Sequence, residues 1–410
     1  MNERSIKKYS KLAFKIFLAA SALLCVFLMR ILRPFVLIRW AGLDISRIGA
    51  TYKADWYLSE RFAGLHQKGY FDIFYFIKTN NVVCNMQWLK MWQKVLHTVS
   101  FERFWRMVTK ISEMLPGHQA HALPLRMYVV ETAKTDDEKK KLGFVLNYKK
   151  PHISFTSEEE LLGEEHLREL GIPDNRPFVC FHARDSAYLN TMFPKMAWEY
   201  HDYRDSSIHN YILAAENLIQ KGYIAVRMGS IVKEKLNVQN PYIINYASNG
   251  QRTDFLDIYL SAKCEFFICS DTGIDVIPSC FRRPIIYTNW TPIHRIYPWV
   301  LNGLFIFKKF YSHKKKHLLT FSEIMKLQFG GPGTEKYFKE QEIDLRENTP
   351  EEIASVVMEM HARLNNAWEG ADEDEVLQKR FWALLGPDRL RSPEARIGAE
   401  FLRQNQEILN

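Results

Sequence analysis

Between Pro177 and Trp290 the chain repeats one pattern: a short apolar run, a polar break, then a helix-like stretch. The apolar runs are FVCFH at 178–182, YIAVRM at 223–228, YIINY at 242–246, EFFIC at 265–269 and PIIYT at 284–288. Helical patterns stand between them at 207–220 (SIHNYILAAENLIQ) and 253–262 (TDFLDIYLSA). Strands that alternate with helices predict a parallel, doubly wound sheet, because parallel neighbours need a crossover. In such a sheet ligands bind beyond the carboxyl ends of the strands. Function is therefore sought in the loops that follow these runs.

Two of those loops carry the chemistry. The first is His182-Ala183-Arg184-Asp185 and the second is Ser270-Asp271-Thr272-Gly273. The Arg184 guanidinium can grip two phosphate oxygens at once, or it can pair with Asp185 at the strand end. His182 can donate a hydrogen bond to a ligand or fill the strand end as a structural histidine. Ser270, Thr272 and Gly273 precede an expected helical turn at 274–280, where hydroxyls, a close backbone approach and a helix N-terminus favour an anion. The same residue types also make an ordinary N-cap. Arg227 and Gly229 end another run and can touch ribose, base or phosphate, or only cap the strand. Tyr203 and Arg204 sit in a polar loop before a helix, within reach of a donor or an acceptor, or solvated. Together these parts can hold a diphosphate, which predicts a nucleotide-sugar site.

The net charge of +8 is unevenly placed. Residues 1–50 hold four Lys and five Arg against one Asp and one Glu, which is +7 and leaves +1 for the other 360 residues. A nearly neutral body gives no footprint for nucleic acid. At the N-terminus Arg4, Lys7, Lys8, Lys11 and Lys15 precede an apolar run from Ile16 to Met29, and Arg30, Arg33 and Arg39 follow it. That run is shorter than the roughly 20 residues a spanning helix wants. Basic clusters beside apolar surface bind anionic lipid, so the segment predicts membrane attachment, either spanning or interfacial; a core helix of the body and a cleaved signal peptide, for which no small-x-small site closes the run, are the other readings. The six cysteines, at 25, 84, 180, 264, 269 and 280, form no CxxC pair and several lie in apolar runs. They read as small hydrophobes of a reducing compartment, and no structural metal is expected.

The first half reads as a strand and turn at 34–50, a helix from Ala54 to Phe62, a strand from 70 with an Asn-Asn turn, and one aromatic helical stretch at 86–114. A helix at 156–170 is opened by Thr156 or Ser157. Signal is weak at 305–345, apart from the loop Gly330-Gly331-Pro332-Gly333, and a helix starts at Pro350.

From about 172 to 292 the chain resembles a family of predicted bacterial glycosyltransferases found among surface-polysaccharide (capsule and O-antigen) genes. The residues that carry the resemblance are FVCFHARDSAYL at 178–189, HDYRDSSIHNY at 201–211 and GYIAVRMG at 222–229. It continues through RTDFLDIYLSAKCEFFICSDTG at 252–273 and VIPSCFRRPIIYTNW at 276–290. Arg47-Ile48-Gly49 is similar to that family's first glycine turn, and Ala395-Arg396-Ile397-Gly398 with Phe401-Leu402 to its closing helix. One departure is Ser270-Asp271-Thr272-Gly273, where a Ser-Ser-Gly or Ser-Gly pair is expected; a carboxylate turned inward there would repel phosphate.

The resemblance implies an α/β, GT-B-like architecture, two Rossmann-like domains facing a cleft, similar in plan to heptosyltransferases and to fucosyltransferases with a His-x-Arg loop. The expected divisions are a membrane-associating segment at 1–38, an acceptor-side domain at 39–170, a nucleotide-sugar domain at 171–345, and helices at 346–410 that pack back across the cleft. It implies a glycosyltransferase that takes a nucleotide sugar as co-substrate, with no permanently bound cofactor, and a glycan or lipid-linked glycan as acceptor. Its place would be the cytoplasmic face of the bacterial inner membrane.

Without a metal, the charge developing on the leaving diphosphate must be met by cations, hydroxyls and backbone N–H groups. No DxD-type pair stands at a strand end: Asp202-Tyr203-Arg204-Asp205 has the wrong spacing and Asp136-Asp137 lies in a charge run. Metal-independent chemistry is therefore expected. The general base is open between Asp55 on the first helix, Asp44 near the first turn, and His182. A nucleotide-sugar epimerase on the same fold and a non-catalytic glycan-binding scaffold are the alternatives. The basic apolar N-terminus counts against the first, and Arg184 with the Ser270–Gly273 loop against the second.

Overall fold

The structure, a computed structural model, describes residues 3–66, 69–123, 125, 140–141, 143, 145, 148–293, 296, 300–327, 334–386 and 394–409. The loop Gly330–Gly333, most of the 134–141 charge run, and Asp136-Asp137 lie outside the described residues. Two compact units form, Met1–Val145 and Leu146–Asn410.

The first unit is built on three parallel strands in the order β1 (Leu37–Asp44), β2 (Tyr70–Ile77), β3 (Thr98–Val99). Helix Tyr52–Phe62 carries the chain from β1 to β2, and helix Met86–Val95, capped by Asn85, from β2 to β3. The expected single helix over 86–114 is two. Leu96 turns extended, Thr98-Val99 joins the sheet beside Phe74 and Tyr75, and Phe101 takes a φ of 65° before helix Glu102–Glu113 begins. β-branched residues favour a pleated edge over a helix interior, which is where the aromatic periodicity gives way.

Arg39 and Asp72 face each other across β1 and β2. Arg39 holds Asp72 by two bonds of 2.7 Å, and Tyr57 donates to the same carboxylate at 2.6 Å. These bonds lower the carboxyl's pKa despite the burial that opposes them. An N-terminal helix, Glu3–Ile31, precedes the sheet, and its Lys7–Ile31 portion is long and apolar enough to cross a membrane. One stripe of it, Ala22, Val26 and Met29, is buried with Trp40, Tyr75, Trp105 and Val108.

The second unit has a seven-stranded sheet, parallel throughout. Its strands are β4 (Phe178–His182), β5 (Ile224–Arg227), β6 (Ile243–Ile244), β7 (Phe267–Cys269), β8 (Ile285–Trp290), β9 (Gly303–Phe307) and a last one, Arg396–Ile397. They run β6-β5-β4-β7-β8-β9 and then Arg396–Ile397. This is the doubly wound order in which the first two crossovers go one way and the rest go the other. The strand core is Val, Ile, Phe and Cys, as a sheet covered on both faces requires. A small antiparallel sheet of β10 (Lys309–Ser312), β11 (His317–Leu318) and β12 (Ile343–Arg346) occupies the stretch of weak signal.

Helix Ser157–Glu169 opens with a capping box between Thr156 and Glu159 and packs in the second unit. Gly163 permits the close approach, since a Cβ there would lie 2.1 Å from the Tyr259 ring that covers it, and Glu160 pairs with Lys263 at 2.7 Å. The C-terminal stretch also belongs to this unit. Helix Pro350–Leu364, with proline in its first turn and a Thr349–Glu352 capping box, packs in its core through Ile353 and Val357. Arg396-Ile397, expected in a closing helix, is instead the edge strand beside β9, and the helix starts at Ala399.

Candidate functional site

The strand order turns at β4 and β7. These strands are neighbours, with His182 opposite Cys269, and their connections depart in opposite directions. A crevice outside the carboxyl ends of two such strands is where doubly wound sheets hold ligands. The loops leaving them are tied together. The Ser270 N–H lies 3.4 Å from the His182 carbonyl, and the Arg184 N–H donates to Ser270 Oγ at 2.8 Å. Ser270 is fully buried, so its hydroxyl fixes the Arg184 backbone.

Three cations gather here. Arg184 is 5% exposed and pairs through Nη1 with Asp205, while its Nη2 is buried without a partner. Asp185, the alternative partner the sequence offers, instead accepts the Ala187 N–H at 2.9 Å and the Lys233 N–H at 2.7 Å. Arg204 reaches Asp271 at 3.3 Å. That contact turns the unexpected carboxylate of the second loop toward a guanidinium. Lys308, 4% exposed, donates to the carbonyls of Tyr203 at 3.1 Å and Asp205 at 2.5 Å.

Electrostatics register the crowding. Burial, then the charge of Arg204, pulls the Arg184 guanidinium down to about 10. Burial, with a further push from Arg184, pulls the Lys308 amine down to about 8. An unsatisfied buried donor costs on the order of 1–3 kcal/mol, more when charged. An anion at Arg184 Nη2 would recover that cost. Asp202 stands close enough to Arg184 to oppose its loss of charge; burial raises its own carboxyl, and its Oδ1 is buried without a partner. The loops thus present a free donor and a free acceptor.

His182 is half-buried, and its Nδ1 donates to the Met228 carbonyl at 3.0 Å. That bond leaves Nε2 as the lone-pair nitrogen, and burial lowers the ring's pKa, so the neutral form prevails at neutral pH. Arg227 is buried at the end of β5 and donates to the Glu234 carbonyl at 2.7 Å, holding down the loop that follows. Gly229, at φ 149°, lets that loop close over His182; a Cβ there would meet Val232 at 2.6 Å. Thr272 is half-buried and makes no side-chain cap bond, and Gly273 is exposed at the start of a short turn. Tyr203 is buried against Phe338, and its role here is its carbonyl.

The remaining expected residues belong to the first unit. Gly49 lies in the turn Ile48–Thr51 beyond β1, and Asp55 in the first turn of helix Tyr52–Phe62. Asp44 closes its own loop through the N–H and hydroxyl of Ser46.

Sequence reasoning missed Lys308, Asp205 and Asp275. The signal for Lys308 was a lysine directly after the wholly apolar run GLFIF. Asp275 is buried beneath the second loop, where burial, then Asp271, pushes its carboxyl up to about 8; Tyr287 donates to it at 3.1 Å. Among the described residues no group of three or more His, Cys, Asp and Glu is arranged to hold a metal ion.

No protein-family model and no curated protein matches the sequence. Among solved structures, the chain is similar to the E. coli ADP-heptose LPS heptosyltransferase II at 14% identity, over 74% of this chain and 98% of that one, with a TM-score of 0.39. A family 9 glycosyl transferase from Veillonella parvula matches at 9% identity, over 65% of this chain and 85% of that one, with a TM-score of 0.38. The E. coli heptosyltransferase WaaC with ADP matches at 11% identity, over 77% and 99%, with a TM-score of 0.31.

Proposed function

We propose that the β4/β7 crevice binds the diphosphate of a nucleotide sugar and that the chain is a glycosyltransferase. The observation that carries this is Arg184, buried at the turning point of the sheet with Nη2 unpartnered and Arg204 and Lys308 packed around it. Cations bunched against their own repulsion in a desolvated crevice suit a leaving diphosphate, whose charge grows as the sugar departs. Asp202 Oδ1 supplies an acceptor for a sugar hydroxyl. Thr272 and Gly273 offer a hydroxyl and open backbone on the opposite loop. His182 Nε2, neutral and unprotonated, suits proton abstraction from an acceptor hydroxyl.

The acceptor in this reading is a glycan, lipid-linked, of a bacterial surface polysaccharide. The N-terminal helix holds the enzyme to the cytoplasmic face of the inner membrane, beside such an acceptor. No metal is required, because the guanidinium groups and Lys308 supply the positive charge.

The test is turnover. Release of the nucleotide from a panel of nucleotide sugars, with membrane lipid extract as acceptor, is expected for wild type and lost in Arg184→Ala. Full activity in excess chelator is expected as well. Wild-type-like release by Arg184→Ala would remove the site, and reversible loss in chelator would remove the metal-free mechanism.

A further inference from the structure

The N-terminal helix has two faces, and burial identifies them. Ala22, Val26 and Met29 are buried, with Leu18, Ala19 and Cys25 partly covered beside them. Continuing that line toward the N-terminus by steps of three, four and seven leads to Lys15, Lys11 and Lys8. At 3.6 residues per turn these lysines share the packed face. The other face is apolar along its length: Phe17 is 69% exposed and Phe27 60%, with Leu24, Leu28 and Ile31 exposed among them. Leu32 and Phe35 extend this surface beyond the helix end.

A helix that crosses a bilayer must be apolar all round over its span. This one is packed from Ala22 to Met29, the C-terminal part of the length that would span, against helix Glu102–Glu113. That neighbour exposes Arg103, Arg106, Lys110 and Glu113. A crossing pose would carry these charges into the hydrocarbon, at several kcal/mol each on common scales. Lying flat avoids the conflict: one face meets acyl chains, the lysines stay on the water side, and their stems reach lipid phosphates.

We infer that helix Glu3–Ile31 is an in-plane anchor on an anionic bilayer, with Phe17, Leu24, Phe27, Leu28 and Ile31 in the acyl boundary and Lys8, Lys11 and Lys15 at the headgroup phosphates. This rests on the membrane attachment proposed above and is independent of the donor site. Both helix ends then lie on one side of the membrane, the side that holds the folded units.

The test uses the full chain with sealed vesicles of phosphatidylcholine, alone or equimolar with phosphatidylglycerol. In a Cys25→Ser, Cys84→Ser background, which keeps the four buried cysteines, one exposed cysteine at a time is placed by Lys7→Cys, on the lysine side of the helix, or Pro34→Cys. An impermeant maleimide added outside is expected to label both without detergent. Protection of Lys7→Cys until detergent is added would mean that the helix crosses, and would overturn the inference. Failure of the protein to float with either vesicle would overturn it together with membrane attachment. Lys8→Gln, Lys11→Gln and Lys15→Gln are each expected to weaken binding to the anionic vesicles about five-fold. Unchanged binding by the triple variant would overturn the headgroup contact. Nucleotide binding by the same preparations reports separately on the donor site.

Discussion

Arg184 carries two states in one side chain: Nη1 is held by Asp205 and Nη2 is buried without a partner. Arg184→Lys keeps the charge and loses the fork, so nucleotide affinity should fall on the order of 10- to 100-fold while the fold survives, as calorimetry would read. Lys308 adds a pH dependence. Its amine is charged below about pH 8 and neutral above, so donor binding should weaken as pH rises through that value. Binding that holds constant to pH 9 would take Lys308 out of the site. Asp72 behaves oppositely in kind. Its carboxyl is held below the ordinary range, so its contribution to stability is present above the unfolded value of about 4 and drains as pH falls below it. Asp72→Asn leaves Arg39 buried without its charge partner and should cost about 3–5 kcal/mol, measured by denaturant unfolding at neutral pH. At this scale the sequence was informative about residue type and silent about partners. Arg184 and Ser270 stood out as strand-end residues, but the choice of Asp205 over Asp185 depends on a loop closing from 21 residues away.

The elements that position the site are short, and their placement follows from what each buries. The strand runs 178–182 and 284–288 were legible because apolar residues dominate them and polar residues follow, at Arg184-Asp185 and at Asn289. Arg396-Ile397 was not, since two residues carry no periodicity and only the open edge of β9 makes them a strand. The same holds at 86–114, where one aromatic pattern covers two helices and a strand. Gly163 gives the clearest test of element packing. Gly163→Ala drives a methyl group into Tyr259 and should lower stability by about 1–3 kcal/mol, although alanine is the better helix former. In the N-terminal helix, adjacent residues should differ. Val26→Asp buries a charge and should destabilise the first unit by about 3 kcal/mol or more. Phe27→Asp leaves its melting unchanged and reduces partition into vesicles. Equal melting of the two variants would show that the stripe is not packed.

At the scale of the molecule, one parallel sheet of doubly wound order decides where chemistry can occur. Alternation of strands and helices made that plan legible, and the strand order then selected β4 and β7 from several strand ends. The division between units was less legible, because helix Ser157–Glu169 carries the same capping signals whichever unit it joins; Gly163 beneath Tyr259 and Glu160 on Lys263 tie it to the second. The central claim is that the β4/β7 loops hold a nucleotide diphosphate through Arg184. It is tested most directly by thermal-shift titration of wild type and Arg184→Lys with UDP, GDP, CMP, ADP and dTDP. One nucleotide should raise the melting temperature of wild type, and the variant should need about 10- to 100-fold more of it for the same rise. Equal shifts in both proteins, or no shift with any nucleotide, would contradict it.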